Sequence, residues 1–154
     1  MLGAGALGGP DLAGAHFLDG FCGTGAAGIE ALSRGARHAT FIDRDLGPAR
    51  ANIRALDLES EASLIAADLA HLGPLPIGKQ PATIAFLDPP YFSSLGRAAL
   101  GALHQGGWLA ADALLILESA ARGPAEDLAG SGFALIDERR YGAARLSFLM
   151  RSLK

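Results

Sequence analysis

Short apolar runs alternate with segments of helical periodicity along most of the chain, and glycine-rich or polar stretches separate them. His16-Phe17-Leu18-Asp19 predicts the end of a strand, broken by the glycines between Gly20 and Gly28. Ala26 to Arg34 predicts a helix stopped by Gly35. Ala39 to Ile42 is a second strand ending at Asp43, and Leu46 to Leu56 is a second helix with Pro48 in its first turn. Ser63 to Ala66 is a third strand, ending near Asp68. Thr83 to Leu87 and Ala113 to Leu117 are continuous apolar runs, the pattern of strands buried on both faces, with a weak helix over Gly96 to Leu103 between them. Phe133 to Ile136 and Leu146 to Met150 flank Arg139-Arg140-Tyr141-Gly142 and predict an antiparallel pair. The whole reads as an α/β fold, a mostly parallel doubly wound sheet closed by an antiparallel C-terminal hairpin.

Length and composition narrow the class. A chain of 154 residues predicts one domain over 1–154, and with 50% apolar and 19% charged residues disorder is excluded. A net charge of −3 does not describe a strongly basic nucleic-acid binder, so any such activity must rest on a local patch or on a partner. The single cysteine, Cys22, excludes a disulfide framework and a CxxC zinc site. No run approaches the ~18 apolar residues of a membrane span, and Met1 to Pro10 lacks a basic n-region. The expectation is a soluble cytoplasmic protein, off the membrane, with a monomer as its expected state.

Asp19, Asp43, Asp68 and Asp88 each fall at the C-terminal end of a predicted parallel strand, the edge where open α/β sheets bind ligands. Any one of them reads more simply as a helix cap. Four in succession, with a glycine loop after the first, point to a shared ligand rich in donors. The loop Gly23-Thr24-Gly25-Ala26-Ala27-Gly28 matches G-x-G-x-x-G, and Asp43 also satisfies the nicotinamide-dinucleotide pattern. Asp19 speaks against a dinucleotide, because a carboxylate there repels a pyrophosphate over the helix N-terminus. It suits a zwitterion carrying adenosine and no phosphate, which is S-adenosyl-L-methionine. Cys22 reads as a small loop residue.

Asp88-Pro89-Pro90-Tyr91 is the most specific signal. It can be a strand end with a proline turn. Two prolines also fix the Pro89 carbonyl beside a carboxylate and an aromatic ring, as an exocyclic amine on a planar base requires. Accepting both amine hydrogens favours a pyramidal nitrogen, and Tyr91 can stack on the base, a contact worth ~1–3 kcal/mol.

On these residues the chain resembles a class I S-adenosylmethionine-dependent methyltransferase with a Rossmann-like fold. It is similar in particular to the RsmD family, which methylates guanine N2 of 16S ribosomal RNA. The matching stretches are Phe17 to Gly25, Gly28 to Ala36 (G-I-E-A-L-S-R-G-A), Phe41 to Asp45, Asp68, Leu87 to Tyr91 and Arg140 to Gly142. The resemblance implies that Asp19, Gly20, Gly23, Thr24 and Gly25 hold the methionine part of the cofactor, that Asp43 holds the ribose and that Asp68 holds the adenine amine. It implies that Asp88, Pro89, Pro90 and Tyr91 hold the target base, in ribosomal RNA or an assembling small subunit. Family members begin with a basic segment and a helix bearing R-P-T. Residues 1–14 here are small instead, which reads as a truncated chain, a mis-placed start or a divergent member with weakened activity, and Gly20 and Cys22 replace the usual Leu and Ala.

The D-P-P-Y tetrapeptide also serves amino-methyltransferases of DNA and of protein glutamine. A nicotinamide-dependent oxidoreductase and a cofactor-binding remnant without activity are the remaining alternatives. Arg139, Arg140, Arg145 and Arg151 either face phosphates or guard a sheet edge. The four histidines show no ligand spacing, Trp108 reads as core, and Glu118 reads as a cap or a loop ligand with no chemistry.

Overall fold

The structure, a computed structural model, describes residues 11–152. Most of the segment expected over 1–14 lies outside the described residues. In chain order the elements are strand β1 (His16–Gly20), helix α1 (Ala26–Ser33), β2 (His38–Asp43), α2 (Gly47–Ala55), β3 (Ala62–Ala66), β4 (Ala82–Leu87), α3 (Leu95–Gln105), β5 (Leu109–Ala120), β6 (Phe133–Tyr141) and β7 (Ala144–Arg151). Short 3-10 turns at Glu59–Glu61 and Leu69–His71 flank β3.

The seven strands form one sheet in the order β3-β2-β1-β4-β5-β7-β6. β3, β2, β1, β4 and β5 are parallel, and β7 enters antiparallel between β5 and β6. The chain winds outward from β1 to β3, then restarts beside β1 with β4, so the strand order reverses between β1 and β4. Ligands of open α/β sheets bind at that reversal, beyond the carboxyl ends of the strands.

Alternation along the strands divides the interior into two layers. Phe17, Phe41, Ile84, Leu114, Ile116 and Phe148 pack with Ala31 of α1 and with Ala49 and Ile53 of α2. Leu18, Ile42, Leu87, Leu115, Leu117 and Leu149 pack with Ala99, Leu100 and Leu103 of α3. The i, i+1, i+4 spacing on α3 turns those three side chains to one face. Trp108 is buried in the second layer, and its indole N–H donates to the Gly73 carbonyl at 2.7 Å.

Two elements exceed their sequence signals. β5 begins at Leu109 rather than Ala113, paired with β4 through a register shift between Ala82 and Ile84. β6 runs through the charged stretch to Tyr141 because alternate charges pair along the edge, Arg139 with Asp137 at 2.9 Å and Arg140 with Glu138 at 3.3 Å. Arg145 is 2% exposed and donates to the carbonyls of Ala121 and Gly123, while Arg151 donates to Leu109. All four arginines of the hairpin therefore have partners within the chain. Arg139 and Arg140 pair with acids on the edge strand β6, whereas Arg145 and Arg151 tie the hairpin to neighbouring backbone.

Candidate active site

Register places the strand ends side by side. Gly20 lies beside Ile42 and Leu87, Leu87 lies beside Leu117, and Asp43 lies beside Ala66. Across the sheet the acids within two residues of the strand ends run Asp68, Asp43, Asp19, Asp88, Glu118, one for each of the five parallel strands. Five neighbouring strands thus deliver five carboxyls to one edge.

Asp43, Asp88, Pro89, Pro90 and Tyr91 open into one cleft of about 480 Å³. Phe21 and Glu118, which the sequence reading left without a role, complete its lining. Phe21 holds a left-handed backbone (φ 58°) among the loop glycines, a conformation that is strained for a bulky residue. The Tyr91 hydroxyl donates to Oε2 of Glu118 at 3.1 Å. Two signals could have marked these residues: an aromatic between glycines, and the extension of the strand-end acid pattern to a fifth strand.

The glycine loop is tied down by carboxylates. The Gly23 N–H donates to Oδ2 of Asp43 at 2.9 Å, and the Gly28 N–H, in the first turn of α1, donates to Oδ2 of Asp19 at 2.9 Å. Gly23 (φ 53°) and Gly25 (φ 82°) adopt left-handed backbone, which glycine reaches without cost. A Cβ on Gly23 would meet nothing within 4 Å, so the loop is open on that side. Thr24 uses its carbonyl, which accepts from Asn52 of α2 at 3.0 Å.

Three expected ligand positions differ from a freely presented group. Asp19 is 2% exposed, buried beneath the loop, and does not line the cleft. Gly20 lacks a side chain for packing reasons, since a Cβ there would stand 2.4 Å from Leu87. Asp68 is engaged by its own neighbours: Oδ1 accepts from the Ala70 N–H at 3.0 Å, and Oδ2 from Arg44 at 2.8 Å and His71 at 2.9 Å. Asp68 is thus a cap and an ion-pair partner. Three of its roughly four lone-pair positions are used, which leaves about one for a ligand.

The electrostatics follow from this crowding. Burial pushes the Asp19 carboxyl up to about 7 against the pull of the Gly28 N–H, with Asp88 and Asp43 adding to the rise. Desolvation, then Glu118, raises Asp88 to about 6. Hydrogen bonds from His71 and Arg44 hold Asp68 well below the usual carboxylate range. Burial lifts the Cys22 thiol to about 12, so it is inert, as a small loop residue should be. The cleft is therefore an acidic pocket without a countercharge, suited to a cationic ligand and to N–H donors. No cluster of metal-ligating side chains and no helix long and apolar enough to cross a membrane occurs among the described residues.

The winding of the sheet, its reversed C-terminal hairpin and the cleft that Phe21 and Asp43 share with Asp88-Pro89-Pro90-Tyr91 define a methyltransferase-type domain of class I. The chain matches the family model described as Conserved hypothetical protein 95 over residues 6–150 and belongs to that family, to which the RsmD resemblance pointed. It is 36% identical over 110 residues to Ribosomal RNA small subunit methyltransferase D of Haemophilus influenzae, covering 66% of this chain and 55% of that protein. The Escherichia coli protein of the same name is 34% identical over 110 residues, covering 71% of this chain and 56% of that one. The match thus spans little more than half the length of these relatives. A solved structure described as the Escherichia coli methyltransferase yhhF superposes with a TM-score of 0.76 at 29% identity, covering 93% of this chain and 78% of that one.

Proposed function

We propose that the chain transfers a methyl group from S-adenosyl-L-methionine to an exocyclic amine of a base, guanine N2 of small-subunit ribosomal RNA. The observation that carries this reading is the shared cleft, lined by Asp88 to Tyr91 together with Asp43 of β2 and Phe21 of the loop after β1, at the strand reversal. The names of the relatives support the ribosomal RNA substrate.

The residues fit the cofactor. The open face at Gly23 admits close approach to the backbone, Asp43 accepts from ribose hydroxyls, and Asp68 offers its remaining lone pair to an adenine amine. Asp19, beneath the loop, adds negative charge under a methionine ammonium. Bound there, S-adenosyl-L-methionine supplies an electrophilic methyl group. Asp88 and the Pro89 carbonyl accept the two amine hydrogens, so the nitrogen lone pair turns out of conjugation and toward that methyl. Tyr91 stacks on the base, and holding the reacting atoms in line does most of the work.

A dinucleotide fits less well. The N–H groups of Gly23 and Gly28, which would cradle a pyrophosphate, already donate to Asp43 and Asp19. Calorimetry with S-adenosylhomocysteine and NADH, followed by labelled methyl transfer to 16S ribosomal RNA, duplex DNA and protein in parallel, tests the proposal. One-site binding of S-adenosylhomocysteine with NADH inert, and label in N2-methylguanosine, are expected. Label in protein alone would overturn the RNA assignment.

A further inference from the structure

β5 is the strand beyond β4 on the side away from β1 and β2, so its carboxyl end faces the substrate half of the cleft rather than the half assigned to the cofactor. Glu118 stands two residues before that end, just past the last pair that β5 makes with β4. Leu87 and Leu117 are in register, so Asp88 and Glu118 follow from adjacent strands about 5 Å apart. Both line the cleft, and Glu118 also lines the smaller cavity behind Pro89, Pro90 and Tyr91. Neither carboxylate has an Arg or Lys partner among the described residues. Glu118 gives one oxygen to the Tyr91 hydroxyl, and its Oε1 accepts no hydrogen bond among the described residues.

Three residues of the cleft lining thus bring acceptors to it: the Asp88 carboxylate, the Pro89 carbonyl and the free oxygen of Glu118. Their complement is a planar edge carrying an exocyclic amine beside a ring N–H. Guanine presents that pair as N2–H2 and N1–H. Adenine and cytosine carry a lone pair on the ring nitrogen beside their amine, and uracil has no amine. We infer that Glu118 selects guanine, its free oxygen accepting from N1–H while Asp88 and Pro89 hold the N2 amine. A ring-nitrogen lone pair at this point faces a carboxylate, which repels it. The assignment rests on the amine-methylation reading above and adds to it the group that rejects the other amino bases.

The test places guanosine or 2-aminopurine riboside at the nucleotide that the wild-type chain methylates, in otherwise identical 16S ribosomal RNA. 2-Aminopurine keeps the 2-amine but has a lone pair at N1. The wild-type chain should prefer guanosine by about 10- to 100-fold in kcat/KM. Glu118→Gln, whose amide donates to a lone pair, should lower guanosine methylation and bring the ratio near one or invert it. S-Adenosylhomocysteine binding reports that the variant is folded. Tyr91→Phe, which removes the hydroxyl bond to Glu118, should leave the ratio unchanged. If E118Q lowers both substrates equally, or Y91F moves the ratio as far as E118Q does, Glu118 only anchors Tyr91 and this inference is overturned alone. A wild-type chain that methylates no RNA overturns it together with the reading on which it rests.

Discussion

Gly28 of α1 lies against the ring of Phe41 on β2, so close that a Cβ at 28 would stand 2.4 Å from Cε1 and 2.7 Å from Cζ. The last glycine of the G-x-G-x-x-G loop therefore sets how near the helix approaches the sheet. Its N–H is also the group that holds Asp19. Gly28→Ala should cost about 1–3 kcal/mol through overpacking, read as a lower urea midpoint at unchanged slope. Adding Phe41→Leu should return part of the loss. A neutral G28A would mean that the ring moves aside and that the close approach is not required.

Burial sets the sign of a pH effect at Asp19. Its folded pKa of about 7 lies above the ordinary 3.8, so the native state holds this proton more tightly than the unfolded chain does. The contribution is fully present below pH 3.8 and is lost as pH rises through 7. Asp19→Asn keeps an acceptor for the Gly28 N–H and removes the titration. Its stability relative to the wild-type chain should therefore improve between pH 5 and pH 8, by on the order of 2–3 kcal/mol in denaturant titrations. Calorimetry of the same variant should show weaker binding of a cationic ligand. A pH-independent difference would place the ionised carboxylate in a better-solvated setting than its burial indicates.

Local patterns made much of this molecule legible. Two-faced apolar runs at Thr83–Leu87 and Ala113–Leu117 identified buried parallel strands, and the prolines of Asp88-Pro89-Pro90-Tyr91 marked a strand end. What stayed hidden depends on neighbours distant in sequence. The start of β5 lies before its continuous apolar run, and Leu109 becomes strand by pairing with Ala82 of β4, ahead of a register shift that the sequence does not reveal. Glu118 reads as a cap until β5 is known to lie beside β4, since only the sheet order brings it to Asp88. Asp19 and Asp68 were legible as acids at strand ends, but their engagement by Gly28, and by Arg44, His71 and Ala70, arises in the folded chain. Phe21 has a left-handed backbone that a string of residue types does not reveal.

Two arginines fasten the segment between β5 and β6, part of which walls the cavity behind Tyr91. Arg145 donates to the carbonyls of Ala121 and Gly123, with Oε1 of Glu138 at 3.7 Å, and Arg97 of α3 donates to those of Asp127 and Ala129. Arg145→Met should cost about 1–3 kcal/mol, because the Ala121 and Gly123 carbonyls and the Glu138 carboxylate lose a charged donor. Amide exchange should quicken over residues 121–132, while β1 and β4 keep their protection. Unchanged exchange in that segment would assign the whole cost to the hairpin.

Asp88 is raised to about 6 by desolvation and by Glu118, and its proposed role as acceptor of an amine hydrogen requires the ionised form. A carboxylate with that pKa is mostly protonated at pH 5 and mostly ionised at pH 7. For methyl transfer to 16S ribosomal RNA, kcat/KM reports the groups of the free chain and should rise about tenfold over this interval. Asp88→Asn should flatten that rise and lower kcat by about 100-fold or more. Affinity for S-adenosylhomocysteine should stay within about twofold, since methionine and ribose contacts are assigned to the loop and Asp43 rather than to this residue. Equal losses of binding and of turnover would move Asp88 to the cofactor side of the cleft. A pH profile that is the same in D88N and the wild-type chain would assign the titration to another acid at this edge, Asp19 being the one whose pKa lies nearest.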